Sequence, residues 1–163
     1  MYVSLMAYGC DKRGWFIRGF ASLMGSQWIT TIAFQCFVGI LILAYFCGSL
    51  EPVHILNVYA PYKDQTPFWD LFLSSELLEI DFLLIGRDLN CTFCNNEICG
   101  NGKKNDPVGG LIRDAIIQHN FFNVLPISFG PTWDNGRSNE SFLAKRLDKF
   151  LLHEILIDRF GSP

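Results

Sequence analysis

The sequence predicts one α/β domain in which mixed β-sheets are flanked by helices, and three consecutive segments carry that expectation. His54–Tyr59 is strand-like and is stopped by Ala60-Pro61, because proline cannot donate to a ladder and fixes its own φ. Thr66-Pro67 opens a helix that the spacing of Phe68, Leu71, Phe72, Ser75 and Leu78 carries to Glu79, with Thr66 as its N-cap. Its apolar stripe should face a sheet. Asp81–Ile85 is a short, nearly continuous apolar run, the pattern of a strand buried on both faces, and Gly86 marks its end.

The 163 residues suit a single domain; half are apolar and 18% charged, which excludes a disordered or fibrous chain. A net charge of -3 excludes a surface that is basic all over, so any nucleic-acid partner has to be met locally. The apolar excess lies upstream. Residues 19–50 contain no Asp, Glu, Lys or Arg, and fourteen of the seventeen positions from Ile32 to Gly48 are apolar. As a helix this run would suit a membrane span, oriented by Lys12, Arg13 and Arg18 before it and Glu51 after it. As strands it would be buried β-structure. The β-branched and aromatic residues from Trp28 to Phe46, the break at Gly39, and a Gln35 that lipid would leave unpaired favour strands. Residues 1–50 are therefore read as an apolar N-terminal part of the domain and 51–163 as its core, with a non-catalytic membrane-anchored or interaction protein as the alternative. The first residues lack the pattern of a secretory signal, and half of the six cysteines lie in apolar stretches as small hydrophobes. The expected setting is intracellular, nuclear or cytoplasmic, and not secreted.

Beyond Gly86 the chain turns polar. Asp88-Leu-Asn90 leads into a loop from Cys91 to Gly110, rich in Asn, Gly and Cys, followed by a helical pattern over Leu111–His119. Short strands at Asn123–Leu125 and Thr132-Trp133, a turn at Asn135-Gly136, and an alternating strand over Arg146–Leu152 complete the reading. Cys91-x2-Cys94-x4-Cys99 invites zinc, but a fourth ligand would have to be His119 or Cys10, neither at a recognised spacing; thiols without metal are the better reading. Lys103-Lys104 in that loop reads as a solvated pair rather than a DNA contact.

Three constellations could carry chemistry. On an extended chain Asp88 and Asn90 project to one side, where the carboxylate can bind a divalent metal or take a proton from water and the carboxamide can hold a phosphate oxygen. An Asx-turn closing the strand is the alternative use of the same pair. Tyr59, at a strand end, can donate its hydroxyl to a phosphate or pack with it satisfied nearby. Asp148 can orient a histidine and pair with Arg146; a plain surface ion pair is the alternative there.

Their order adds information. Asn57-Val-Tyr-Ala-Pro61, Phe68-Trp69, Leu84-Ile-Gly-Arg-Asp-Leu-Asn90, Pro131-Thr-Trp133 with Asn135, and Lys145-Arg-Leu-Asp-Lys-Phe150 together resemble the endonuclease/exonuclease/phosphatase family, over about residues 52–161. The nearest match looks like the endonuclease domains of plant LINE-type non-LTR retrotransposons. The resemblance implies a DNase I-like α/β sandwich and Mg²⁺-dependent hydrolysis of a DNA phosphodiester, with no protein partner. It implies that Asp88 activates the attacking water at the metal, Asn90 positions it and holds the phosphate, Tyr59 contacts the scissile phosphate, and Asp148 pairs with a histidine. Trp133 and Arg146 then fall close to the substrate groove.

The departures shape the expectation as much as the matches. Where the family pattern has Gly-Gly-Asp, Arg87 stands at the second glycine. Residues 1–50 contain neither the Glu that holds the family's metal nor an Asn, and no Ser-Asp-His segment follows Asp158–Gly161. The expectation is a remnant of the domain, cut short at both ends and weakly active or inactive.

Overall fold

The computed structural model describes residues 28–36, 38–46, 50–100, 106–127, 129–138 and 140–160. The apolar upstream run is a hairpin. Strand β1 (Trp28–Cys36) pairs antiparallel with β2 (Gly39–Phe46), and β2 pairs antiparallel with β3 (Pro52–Val58). The membrane-helix alternative is corrected here: Trp28–Cys36 and Gly39–Phe46 are strands, and no helix among the described residues is long and apolar enough to cross a membrane. Residues 19–27 and 47–49 lie outside the described residues.

From β3 the chain passes through helix α1 (Gln65–Leu73) and a 3-10 turn (Glu76–Glu79) into β4 (Leu83–Asp88), which pairs parallel to β3. A second 3-10 turn (Asn95–Glu97), β5 (Ile98–Gly100), helix α2 (Pro107–Gln118) and β6 (Phe121–Val124) follow. Then come β7 (Trp133–Asp134), β8 (Leu143–Lys145), β9 (Asp148–His153) and helix α3 (Glu154–Phe160). The main sheet has the order β1-β2-β3-β4-β9-β6, and a small sheet has the order β5-β8-β7.

Alternation along the strands decides what each face of the main sheet buries. Leu56, Val58, Leu83, Ile85 and Leu151 meet Trp69 and Phe72 of α1 and Ile112 and Ile116 of α2. Val53, Ile55, Leu84 and Leu152 on the other face meet Ile42, Ala44 and Leu156 of α3. Each such side chain contributes about 1.5–3 kcal/mol on burial, so both faces fix the register.

The boundaries differ from expectation for local reasons. Helix α1 ends at Leu73 rather than Glu79, because the hydroxyls of Ser74 and Ser75 donate back to the carbonyls of Leu71 (3.2 Å) and Phe72 (2.6 Å) and compete with the helix. Its N-cap position is Asp64, with φ 52°, and not Thr66. Strand β4 runs through Gly86 to Asp88. A Cβ at Gly86 would lie 2.9 Å from the Phe150 ring on its partner strand, so this glycine makes room for the ring rather than ending the strand. Helix α2 starts at Pro107, ahead of the expected Leu111. Asp106 caps it by accepting from Gly109 N at 3.1 Å, an Asp-Pro start signal hidden in a stretch that reads as loop. Lys103 and Lys104 lie outside the described residues.

Candidate active site

Because β3 and β4 are parallel, their carboxyl ends open on one edge of the sheet, the place where open α/β sheets receive ligands. Strand β9 is antiparallel to β4 and begins at that edge. The register sets Asp88 directly opposite Asp148. Ala60 N donates to Asp88 O at 3.0 Å, which brings the exposed Tyr59 beside the pair, and the Asn90 side-chain amide donates to Ala60 O. Tyr59, Asp88, Asn90 and Asp148 thus meet at one edge, although they are spread over some ninety residues of chain.

Asn90 does not lie beside Asp88 on an extended chain. Its φ is 49°, and its backbone N donates to Asp88 Oδ1 at 2.9 Å, an Asx-turn that closes the strand. The Asn90 Nδ2 donor is committed to Ala60 O, and Gln65 Nε2 ties Asn90 O (2.6 Å) to Pro61 O (3.1 Å). The carboxamide therefore buttons the exits of β3 and β4 together. Arg87 has φ 97°, where a non-glycine residue costs about 1–3 kcal/mol, and this is the position at which the family resemblance expects glycine.

Burial pushes the Asp88 carboxyl up from its ordinary value of 3.8; the Asn90 N–H pulls it back, the opposed Asp148 pushes it further up, and Arg87 and Lys149 pull it down. Two carboxylates facing each other across a ladder repel, and a cation between them relieves that repulsion. Asn57, on β3, is 5% exposed, and its Oδ1 has no hydrogen-bond partner.

Behind the edge lies a buried ionic cluster that composition does not announce. The Lys149 ammonium, fully buried, donates to Arg146 O (2.7 Å) and Cys91 O (3.0 Å), lies 3.0 Å from Glu97 Oε2, and sits 4.8 Å from the centre of the Phe93 ring. Glu97 Oε2 also accepts from Phe93 N at 2.6 Å. Arg146, expected near the groove, is turned inward: it is 3% exposed, its Nη2 donates to Val124 O at 3.1 Å, and its Nη1 is 3.6 Å from Glu97 Oε1. The residues flanking Asp148 are thereby anchored to the loop that follows Asn90. Trp133 is exposed and pairs with Lys145; next to it, Thr132 Oγ1 accepts from Leu147 N (2.9 Å) and Asp148 N (3.0 Å). Sequence reasoning missed Thr132, Lys149 and Glu97. For Lys149 a signal existed, since in the Arg146–Leu152 alternation it falls on the inward face with Leu147 and Leu151, where a lysine requires a buried partner.

All three histidines are engaged away from Asp148: His54 with Asp81 O, His119 with Glu79, and His153 against the Phe121 ring. Cys91 is buried while Cys94 and Cys99 are exposed. Among the described residues no three His, Cys, Asp or Glu side chains form a metal-holding group. The paired groups at the edge are two carboxylates, the ligand type that Mg²⁺ takes one or two of while keeping several waters. A cavity of about 490 Å³ lies between Thr92–Asn95 and the start of α2, and none of the four edge residues lines it.

This arrangement belongs to a recognisable class: mixed sheets with three helices form an α/β fold of the DNase I-like type. Among solved structures the chain is similar to the endonuclease domain of TRAS1, a telomere-specific non-LTR retrotransposon, at 15% identity and a TM-score of 0.54, covering 72% of this chain and 52% of that one. The chain thus spans about half the length of that domain, and at this identity the likeness establishes the fold. No family model and no curated protein matches the sequence.

Proposed function

We propose that this chain carries the remnant of a Mg²⁺-dependent phosphodiesterase site of the retrotransposon endonuclease kind, directed at DNA. The observation that carries the reading is the register that opposes Asp88 and Asp148 at the carboxyl edge, beside Tyr59. Asp88 is the residue to hold the ion, which when bound neutralises charge developing on phosphorus-bound oxygens. The partly desolvated Asp88 carboxylate readies the water, and Tyr59 offers its hydroxyl to the phosphate. Asp148 has no histidine to orient, because all three are engaged elsewhere, so protonation of the leaving group is left to solvent. The amide of Asn90 serves the backbone. Groups acting as a unit fail together, so hydrolysis should run roughly a thousandfold or more below that of a complete site.

The test is plasmid nicking with Mg²⁺, together with anisotropy of a short labelled duplex in Ca²⁺, for the chain and for Asp88→Ala. The expected result is duplex binding that weakens in Asp88→Ala, with feeble nicking that the same substitution removes. Fast nicking abolished by Asp88→Ala would overturn the assigned weakness. Duplex binding indifferent to both Ca²⁺ and Asp88→Ala would overturn the reading itself.

A further inference from the structure

We propose that the outer edge of β6 is a self-association surface, at which a second copy of this chain adds its own β6 and the two main sheets join across a twofold axis. Such association is independent of the nuclease reading and is measured without catalysis.

Among the described residues β6 ends the main sheet: one side pairs with β9, and no strand pairs with the other. Phe122 pairs with Leu152 and Val124 with Phe150, so these four side chains share the face of the sheet turned away from α1 and α2. Phe122 is 52% exposed there, and Phe150, although its ring rests over Gly86, is 41% exposed. The edge continues past Val124 with Leu125, 62% exposed, and a fully exposed Ile127. At roughly 200 Å² for a whole residue of this size, the four exposures come to about 500 Å² a chain, in the upper part of the range that a monomer's largest apolar patch covers. Two copies would cover about 1,000 Å² between them, the area at which a specific interface begins.

The charge pattern selects the occupant. From Ala115 to Trp133 the sequence holds no Asp, Glu, Lys or Arg. A nucleic-acid backbone finds no cation along that run to replace its counterions, whereas two copies, each with a net charge of -3, meet there without like charges opposed. Edge strands are ordinarily blunted by charge; here only the shortness of the strand and Pro126 limit the ladder, so the apolar side chains carry the strength of the contact. Antiparallel pairing of identical strands uses the same patch on both copies, so assembly stops at two. It also turns the two Asp88–Asp148 edges to opposite ends of the joined sheet.

Sedimentation velocity of the purified chain tests the assignment. Across roughly 1–200 μM the mass should rise from one chain toward two and stop there, the reversible behaviour of an interface at the small end of the specific range. Phe122→Lys sets like charges against each other at the twofold and should weaken association by about ten-fold or more; Phe122→Glu should do the same. An equimolar mixture of these two variants should pair again, a recovery that misfolding cannot produce. Leu71→Lys, at an exposed position of α1, should leave association unchanged. A mass that grows past two without a plateau overturns the assignment, as do equal effects of Phe122→Lys and Leu71→Lys, or a mixture of the charged variants that fails to pair. A chain that stays monomeric throughout overturns it as well, including the case in which a single-stranded oligonucleotide binds the monomer through Phe122, as a base-stacking surface would.

Discussion

Removing the Glu97 carboxylate tests whether the buried cluster holds the strand that presents Asp88's partner. Glu97 is 3% exposed; its Oε2 takes the Phe93 N–H at 2.6 Å and lies 3.0 Å from the Lys149 ammonium, while its Oε1 is 3.6 Å from Arg146 Nη1. Glu97→Ala strands a fully buried ammonium, leaves a guanidinium without its counter-charge, and orphans one backbone N–H. Breaking a buried pair from one side costs about 3–5 kcal/mol, because the remaining charge stays in the interior. For a chain of this length each kcal/mol moves Tm by about 2–4 °C, so a drop of roughly 10 °C is expected. Glu97→Gln still accepts from Phe93 N and should cost about half as much. Adding Lys149→Met to Glu97→Gln removes the stranded cation and should recover stability rather than lose more. Thermal and denaturant unfolding followed by near-UV circular dichroism read all three. A Glu97→Ala shift of only a degree or two, or strictly additive losses in the double variant, would show that the cluster does not anchor the strand.

Other perturbations separate local causes. Gly109→Ala puts a Cβ 2.0 Å from Thr92 O and should cost about 3 kcal/mol, whereas Gly110→Ala meets nothing within 4 Å and should gain about 0.5–1 kcal/mol; denaturant midpoints decide between them. At Arg87, whose φ is 97°, the glycine variant should be about 1 kcal/mol more stable than the alanine variant, and equal midpoints would deny the strain. Burial pushes the Cys91 thiol from 9.0 up to about 12, so its stabilising contribution is complete below pH 9 and is lost only as pH climbs toward 12. Aromatic disulfide reagent near pH 8 should therefore label the exposed Cys94 and Cys99 in the native chain and reach Cys91 only on unfolding, as peptide mapping would show.

The sequence by itself determined the type of the elements that frame the edge, β3, α1, β4 and β9, and singled out the residues that stand there, while β5, β8 and α3 left no legible pattern. Periodicity and proline stops marked the strands around Ile55 and Ile85 and the helix that begins near Thr66, because burial on one or two faces writes itself into the spacing of apolar residues. The same logic favoured strands over a membrane helix upstream, where Trp28–Cys36 and Gly39–Phe46 pair in the main sheet. Element ends were less legible. Ser74 and Ser75 end α1 by bonding backward, and Asp106 starts α2 inside an Asn- and Gly-rich stretch, both local competitions that periodicity does not register.

Only the tertiary structure decided what those residues do to one another. Pairing Asp88 with Asp148 across sixty residues, commitment of the Asn90 amide to Ala60, inward rotation of Arg146, and the burial of Lys149 against Glu97 all depend on strand order and register. The physical reason is that side-chain spacing reports how each segment meets a core, while the energy of a charge or an unpaired amide oxygen depends on which distant segment stands opposite it.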